Sequence, residues 1–326
     1  MLFTIALLIF LFAVAQGFVR TIVYFWEWLS RGRKLGDEEV ELAEEALEES
    51  EDALKRELAR ASRQRGLGRV FARWRASGAA VDEYLDHLQL GWYQIIFIFF
   101  VGSMAGLLIE EAFMLLTAGL TESRVGLVWG PFSPLYGVGA VLLTVLCFGM
   151  RRRGARAWQV FLVSALVGGV LEQLTGWAMS ELFDAESWTY LHLPDHITQW
   201  VAWRFVAMWG LLGLVWSRAV MPRLLYQIGM PVARRQVVFV ALVAVYLVAD
   251  IAMTLVCFER KTERDAGVPP ANAFERWVDT NYSDEFISAR FQNLKIGGER
   301  DLVDENGNLV LDENGNTMTE AEGGAR

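Results

Sequence analysis

Apolar residues along this chain do not recur at a helical or strand period. They come in blocks of about 20, apolar all round, the length of helix that crosses about 30 Å of hydrocarbon. The first block runs from Met1 to about Val19 and continues past Arg20 into residues 21–26; the others are Gly91–Ala118, Gly126–Met150, Val160–Phe183, Trp200–Met221 and Gln236–Phe258. A soluble helical bundle would show polar stripes, which these blocks lack. The pattern predicts an all-α fold, a multipass helical membrane protein with about six transmembrane helices. The first block has neither the basic start nor the small-residue cleavage site of a secretory signal, so it is predicted to be a retained helix. The organisation that follows is an N-terminal transmembrane helix over 1–30, a charged segment over 31–89, a five-helix membrane domain over 90–258 and a polar tail over 259–326.

One block violates the pattern at its start. Gly130, Pro131, Pro134, Gly137 and Gly139 fall within ten positions of an apolar run, around Phe132, Ser133, Leu135 and Tyr136. Non-helical backbone at membrane depth survives only where protein or a water-filled cavity covers it, and discontinuous helices often build binding sites with their exposed ends. The run therefore predicts a broken or re-entrant element near Gly130–Gly139. The plainer alternative is a loop leading into an ordinary helix that starts near Leu135.

The polar segments add orientation. Residues 37–52 hold ten acidic side chains and residues 55–75 eight basic ones, with Val40, Leu47, Leu54 and Ala61 spaced by seven. This predicts a charged cytoplasmic helix, compatible with self-association, hence with a homo-oligomer. Leu67, Val70, Phe71 and Trp74 among Arg69, Arg73 and Arg75 suit an anionic membrane surface; a solvated connector is the equal alternative. Basic residues cluster at alternate connections: Arg31, Arg33 and Lys34; Arg151, Arg152, Arg153 and Arg156; Arg218, Arg223, Arg234 and Arg235. Cytoplasmic flanks carry such excess, so both termini are expected outside a cell membrane. In the tail, Asp304-Glu305-Asn306-Gly307-Asn308 recurs eight residues later as Asp312-Glu313-Asn314-Gly315-Asn316. It lacks the ligand spacing and closing glutamate of a calcium loop and reads as hairpin turns or a disordered tail.

Composition narrows the function classes. The chain is 54% hydrophobic, and its net charge of −9 comes mainly from segments outside the blocks, so it identifies no partner beyond the bilayer. Nothing suggests nucleic-acid binding. Cys147 and Cys257 sit in separate apolar blocks without metal or redox spacing. No P-loop, GxSxG or HExxH motif occurs, no lysine lies within a span, and Pro194 between His192 and His196 opposes a zinc site. No cofactor, no metal and no catalytic residue is implied.

Ionisable groups inside spans are costly and mark candidate sites. They are Glu110 and Glu111, Glu172 with Glu181 near the end of its block, Arg204, and Asp250. Glu172 is the strongest, since no charge occurs from Val160 to Leu171 or from Leu174 to Ala178. Its natural partner is Arg204, an ion pair that would offset the desolvation of each, as a substrate site or as a lock between helices. Glu110 follows Gly102, Ser103, Ala105 and Gly106, small residues that admit close helix approach, which favours it over Glu111 as the buried member. Asp250 reads as a packing hydrogen bond.

Gly102 with Glu110, the run from Gly130 to Ala140, Leu171-Glu172-Gln173-Leu174-Thr175 leading to Leu182-Phe183 and Trp188, and Trp209-Gly210-Leu211-Leu212-Gly213 together resemble a bacterial family, the CmpB-like type IV ABC-transporter permeases. The resemblance covers about Ile95 to Pro222. Ser133 stands where the family usually carries cysteine, and Arg204 lies about one turn from the family's arginine. Membership implies a transport subunit working with a separate ATPase, and the residues themselves offer a candidate substrate or structural polar site of Glu110, Glu172, Arg204, Gly130, Pro131, Pro134, Tyr136 and Gly137. The leading expectation is therefore a permease subunit without enzymatic activity of its own. A non-transporting scaffold or sensor, and an intramembrane enzyme with Glu110 and Glu172 as acid and base, are the alternatives.

Overall fold

In the computed structural model the described residues are 24–25, 27–31, 34–61, 67–296, 302, 304, 309–311 and 316–319. The first predicted span and the Asn-Gly pairs of the tail lie outside them. In chain order the elements are helices α1 (Asp37–Ala61), α2 (Leu67–His87), α3 (Trp92–Ala118), α4 (Pro134–Arg152) and α5 (Ala157–Phe183), strand β1 (Ala185–Glu186), helix α6 (Trp203–Val215), a π-helical turn (Trp216–Val220), helices α7 (Met221–Ile228), α8 (Arg234–Asp265), α9 (Ala273–Asn281) and α10 (Asp284–Arg290), and strand β2 (Lys295–Ile296). Five stretches are long and apolar enough to cross a membrane: Trp92–Thr117, Pro134–Arg152, Ala157–Phe183, Trp203–Ile228 and Arg234–Asp265. These are five of the expected spans. Large apolar side chains such as Leu116, Leu166 and Val248 stand exposed on them, as lipid-facing positions should.

The chain forms two compact units, residues 1–94 with 222–243 and residues 95–221 with 244–326. In the first, the charged segment is a helical hairpin, not one self-associating helix. Val40, Ala43, Ala46, Ser50 and Ala53 of α1 are buried, as are Ala76, Ala80, Val81, Tyr84 and Leu85 of α2. This is a helix face of mostly small residues, and it does not coincide with the seven-residue series, whose Leu47 is exposed. Small side chains let two helices approach closely, so the seam is spent within the chain. Glu49 of α1 meets His87 of α2 at 2.5 Å. The hydroxyl of Tyr84 accepts from the Met230 amide at 2.9 Å, and Gln94 donates to the Gly229 carbonyl at 3.0 Å.

In the second unit α5 packs along α6, and α4 packs against α5 and the π-helical turn. Close approach requires glycine at two positions: a methyl group at Gly106 would collide with the Tyr136 ring, and one at Gly168 with Trp209. The break in the apolar run falls before α4. Residues 119–133 are irregular, helix α4 starts at Pro134, and Gly137 and Gly139 lie inside it. Proline suits that first turn, where its missing N–H is not needed. Its first residues, 119–122, are exposed, but the part nearest α4 is buried at Leu127, Val128, Phe132 and Ser133.

The tail folds over this segment. Val278 of α9, Ile287 of α10, Phe291 and Ile296 join Leu107, Val125, Val128, Met253 and Phe258 in one apolar cluster. Strand β2 pairs antiparallel with β1, Ala185 opposite Ile296. Acidic residues of the tail engage the end of α8: Arg260 meets Asp279 at 2.7 Å, and Arg264 meets Asp279 at 2.6 Å and Asp284 at 2.7 Å. Farther on, Leu302, Val310 and Met318 are joined by backbone hydrogen bonds and Leu311 bridges Thr317.

Candidate functional site

Glu172 lies midway along α5 and is 7% exposed. Its Oε1 accepts from the indole Nε1 of Trp209 on α6 at 3.0 Å, an approach that Gly168, one turn earlier, makes room for. Its Oε2 is buried and has no hydrogen-bond partner among the described residues. A buried polar atom without a partner is costly, so a group of this kind marks a place where something is bound or exchanged, or where energy is left unrecovered.

The expected pair with Arg204 does not form. Helix α6 starts at Trp203, which puts Arg204 in its first turn, within reach of a nearer acid. Asp195, nine residues earlier, accepts from the Arg204 amide at 3.0 Å and meets its guanidinium at 2.6 Å. The carboxylate thus accepts from one free N–H of a helix start while pairing a cation beside it. Hydrogen bonding to Arg204 holds the Asp195 carboxyl below its usual range.

Tyr136, in the first turn of α4, is the link between the two glutamates. Its hydroxyl has both Glu110 and Glu172 within electrostatic reach, and Tyr190 shares the same two neighbours. Tyr190 stacks on Phe205 of α6 with ring centroids 4.5 Å apart. Burial first, then the carboxylates of Glu172 and Glu110, push its phenol up, so it stays protonated and able to donate. Glu110 sits one helical turn beyond Gly106, against which Tyr136 packs. Its charge is matched by Arg124 of the irregular segment at 3.1 Å. Glu111 accepts from the Arg124 amide at 3.4 Å and borders a shallow surface recess of 470 Å³ with Thr121, Ser123 and Gln292, apart from Glu172.

Of the residues singled out by sequence, Glu110, Glu172 and Tyr136 are thereby brought together, and Gly137 packs on Ser103 and Phe99. Gly130, Pro131 and Pro134 belong to the adjoining irregular segment, and Arg204 is elsewhere. Sequence reasoning passed over Trp209 as a partner, although its Trp-Gly pair was visible, and over Arg124, the one basic residue of its connection, as the partner of Glu110. Asp250 proves to be a positioning group: its Oδ1 accepts from the Trp129 amide at 2.8 Å, while Thr254, one turn on, accepts from Val128 at 2.8 Å.

Residues 97–255 match the protein family described as Putative ABC-transporter type IV. Over that stretch the chain is similar to this family. The match covers α3 to α6 and most of α8, farther than the sequence motifs reach, and so includes Asp250 and Thr254 with the glutamates. No curated protein and no solved structure matches the chain. The five apolar helices make the chain a multipass membrane protein, and over residues 97–255 it is similar to the ABC-transporter type IV family.

Proposed function

We propose that the chain is the permease subunit of an ABC-type transporter, with Glu172, Tyr136 and Tyr190 lining the polar part of its passage. The observation that carries this reading is the Glu172 carboxylate, buried between apolar neighbours with Oε2 unpartnered beside two phenols. A structural lock would satisfy both oxygens; a transit site leaves one open to a passing donor or cation. The commitment of Glu110 to Arg124 weighs against an acid and base pair, because a general base needs its charge free. In this reading the Arg151–Arg156 turn and the Arg218–Arg235 connection face the cytoplasm and offer the surfaces where a separate ATPase docks. Affinity purification from native membranes in mild detergent tests it. A P-loop ATPase recovered in near-equal amount supports the permease, and its reproducible absence overturns it.

A further inference from the structure

The irregular segment before α4 exposes backbone oxygens that a helix would have used, and they converge on one side chain. Arg290, at the end of α10, donates from Nε and Nη2 to the Leu127 carbonyl at 3.2 and 3.0 Å, and from Nη2 to the Gly130 carbonyl as well. Gly130 has φ of 69°, a conformation closed to most side chains, and this aims its carbonyl into the same space. On the α8 side stands Asp250, 0% exposed, with Oδ1 on the Trp129 amide and Oδ2 without a hydrogen-bond partner among the described residues. Asp250 and Arg290 attract one another electrostatically, and Tyr246 shares the attraction to Arg290.

Two carbonyls of an irregular connection and one carboxylate of the helix beside it are oxygen donors of the kind that hold a cation. We propose that Leu127, Gly130 and Asp250 form a site for a small monovalent cation, which the chain itself fills with the guanidinium of Arg290. The charge count sets the class: two neutral oxygens and a single carboxylate balance one positive charge, whereas calcium or magnesium sites recruit more ligands and more charge. The tail is then a tethered cation. Docking of α10 and occupation by a free ion such as sodium exclude each other, so the tail competes with the ion for the break that precedes α4.

The test compares the thermal unfolding of the full chain in detergent, in sodium chloride and in choline chloride of equal ionic strength, for the unaltered chain, R290Q and D250N/R290Q. The unaltered chain unfolds at the same temperature in both salts. R290Q falls by on the order of 5 °C in choline and regains most of that with sodium in a saturable way, and millimolar methylguanidinium acts as sodium does. In D250N/R290Q neither cation has an effect. Equal stability of R290Q in both salts, or a sodium response that survives loss of the Asp250 charge, overturns the proposal. Should R290Q not fold, R290K decides: a cation in place keeps it near the unaltered chain, and a comparable failure to fold overturns the site.

Discussion

The hairpin of α1 and α2 and the helices of residues 95–221 treat charge in opposite ways. In the hairpin, Lys55 lies near both Glu51 and Asp52, and Lys34 meets Glu44, with side chains about two-thirds exposed. Water solvates either partner alone, so such pairs contribute little to stability and their number says nothing about function. In the membrane helices charges are few, and each must be matched by name: Glu110 by Arg124, and Glu172 in part by Trp209. Charge density is thus a poor guide to a site, and the solvent that a charge lacks is a better one.

That contrast can be broken most severely at Asp279. It is the shared acid of Arg260 and Arg264, and the Arg260 side chain is only 3% exposed. Removing the acid leaves an enclosed guanidinium partly uncompensated, so Asp279→Ala should cost about 3 kcal/mol in unfolding free energy, measured by denaturant titration in detergent. The same group sets an acid limit. Hydrogen bonds from Arg260 and Arg264 hold the Asp279 carboxyl below its usual range, so the unfolded chain binds its proton more readily. Its stabilisation is full above the ordinary carboxylate pKa of about 3.9 and is lost as pH falls through the lower folded value. Asp279→Asn should flatten that acid slope.

A smaller break is Ala46→Leu. Ala46 is 0% exposed in the hairpin seam, and the added bulk should cost about 1–3 kcal/mol, with the helical content of the seam as the readout. Smaller again is Trp209→Phe, which removes the one hydrogen-bond donor to Glu172 among the described residues and should cost about 1–2 kcal/mol. Glu172→Gln sharpens the comparison from the other side: an amide still accepts from the indole, so stability holds while any transport that uses the carboxylate is lost. A variant that loses stability and not transport would make Glu172 a lock. At the bottom of the scale, Lys55→Ala should leave the unfolding midpoint unchanged within error.

Hydropathy made the spans legible because hydrocarbon admits so few alternatives. It placed five blocks over their helices, although one block begins about eight residues early and two end about seven short, and Pro134 marked where α4 starts. Legibility failed where a decision depended on a residue brought back by a turn. Arg204 was matched to Glu172 because both stood in apolar blocks, but Asp195 reaches it first through a bend that no periodicity reports. The α1 seam was missed because alanine, a good helix former anywhere, is not read as core. The tail looked polar because Val278, Ile287 and Phe291 are spread among Arg, Asp and Glu, and only the folded helices α9 and α10 gather them. Glu110, Tyr136 and Glu172 were each visible for local reasons, whereas their shared neighbour Tyr190 lies in a loop where an aromatic ring beside Trp188 reads only as an anchor at the membrane interface.

The grip of Arg290 on the turn at Leu127–Gly130 also imposes an order in time. The guanidinium follows the carbonyls it satisfies by 160 and 163 residues. At ribosomal speeds of about 5–20 residues per second, roughly 10 to 30 s separate their syntheses. For that interval the nascent chain holds the Leu127 and Gly130 carbonyls without the side chain that donates to them. The break before α4 is therefore among the last parts of the molecule to mature, and chains stalled before Arg290 should carry it open.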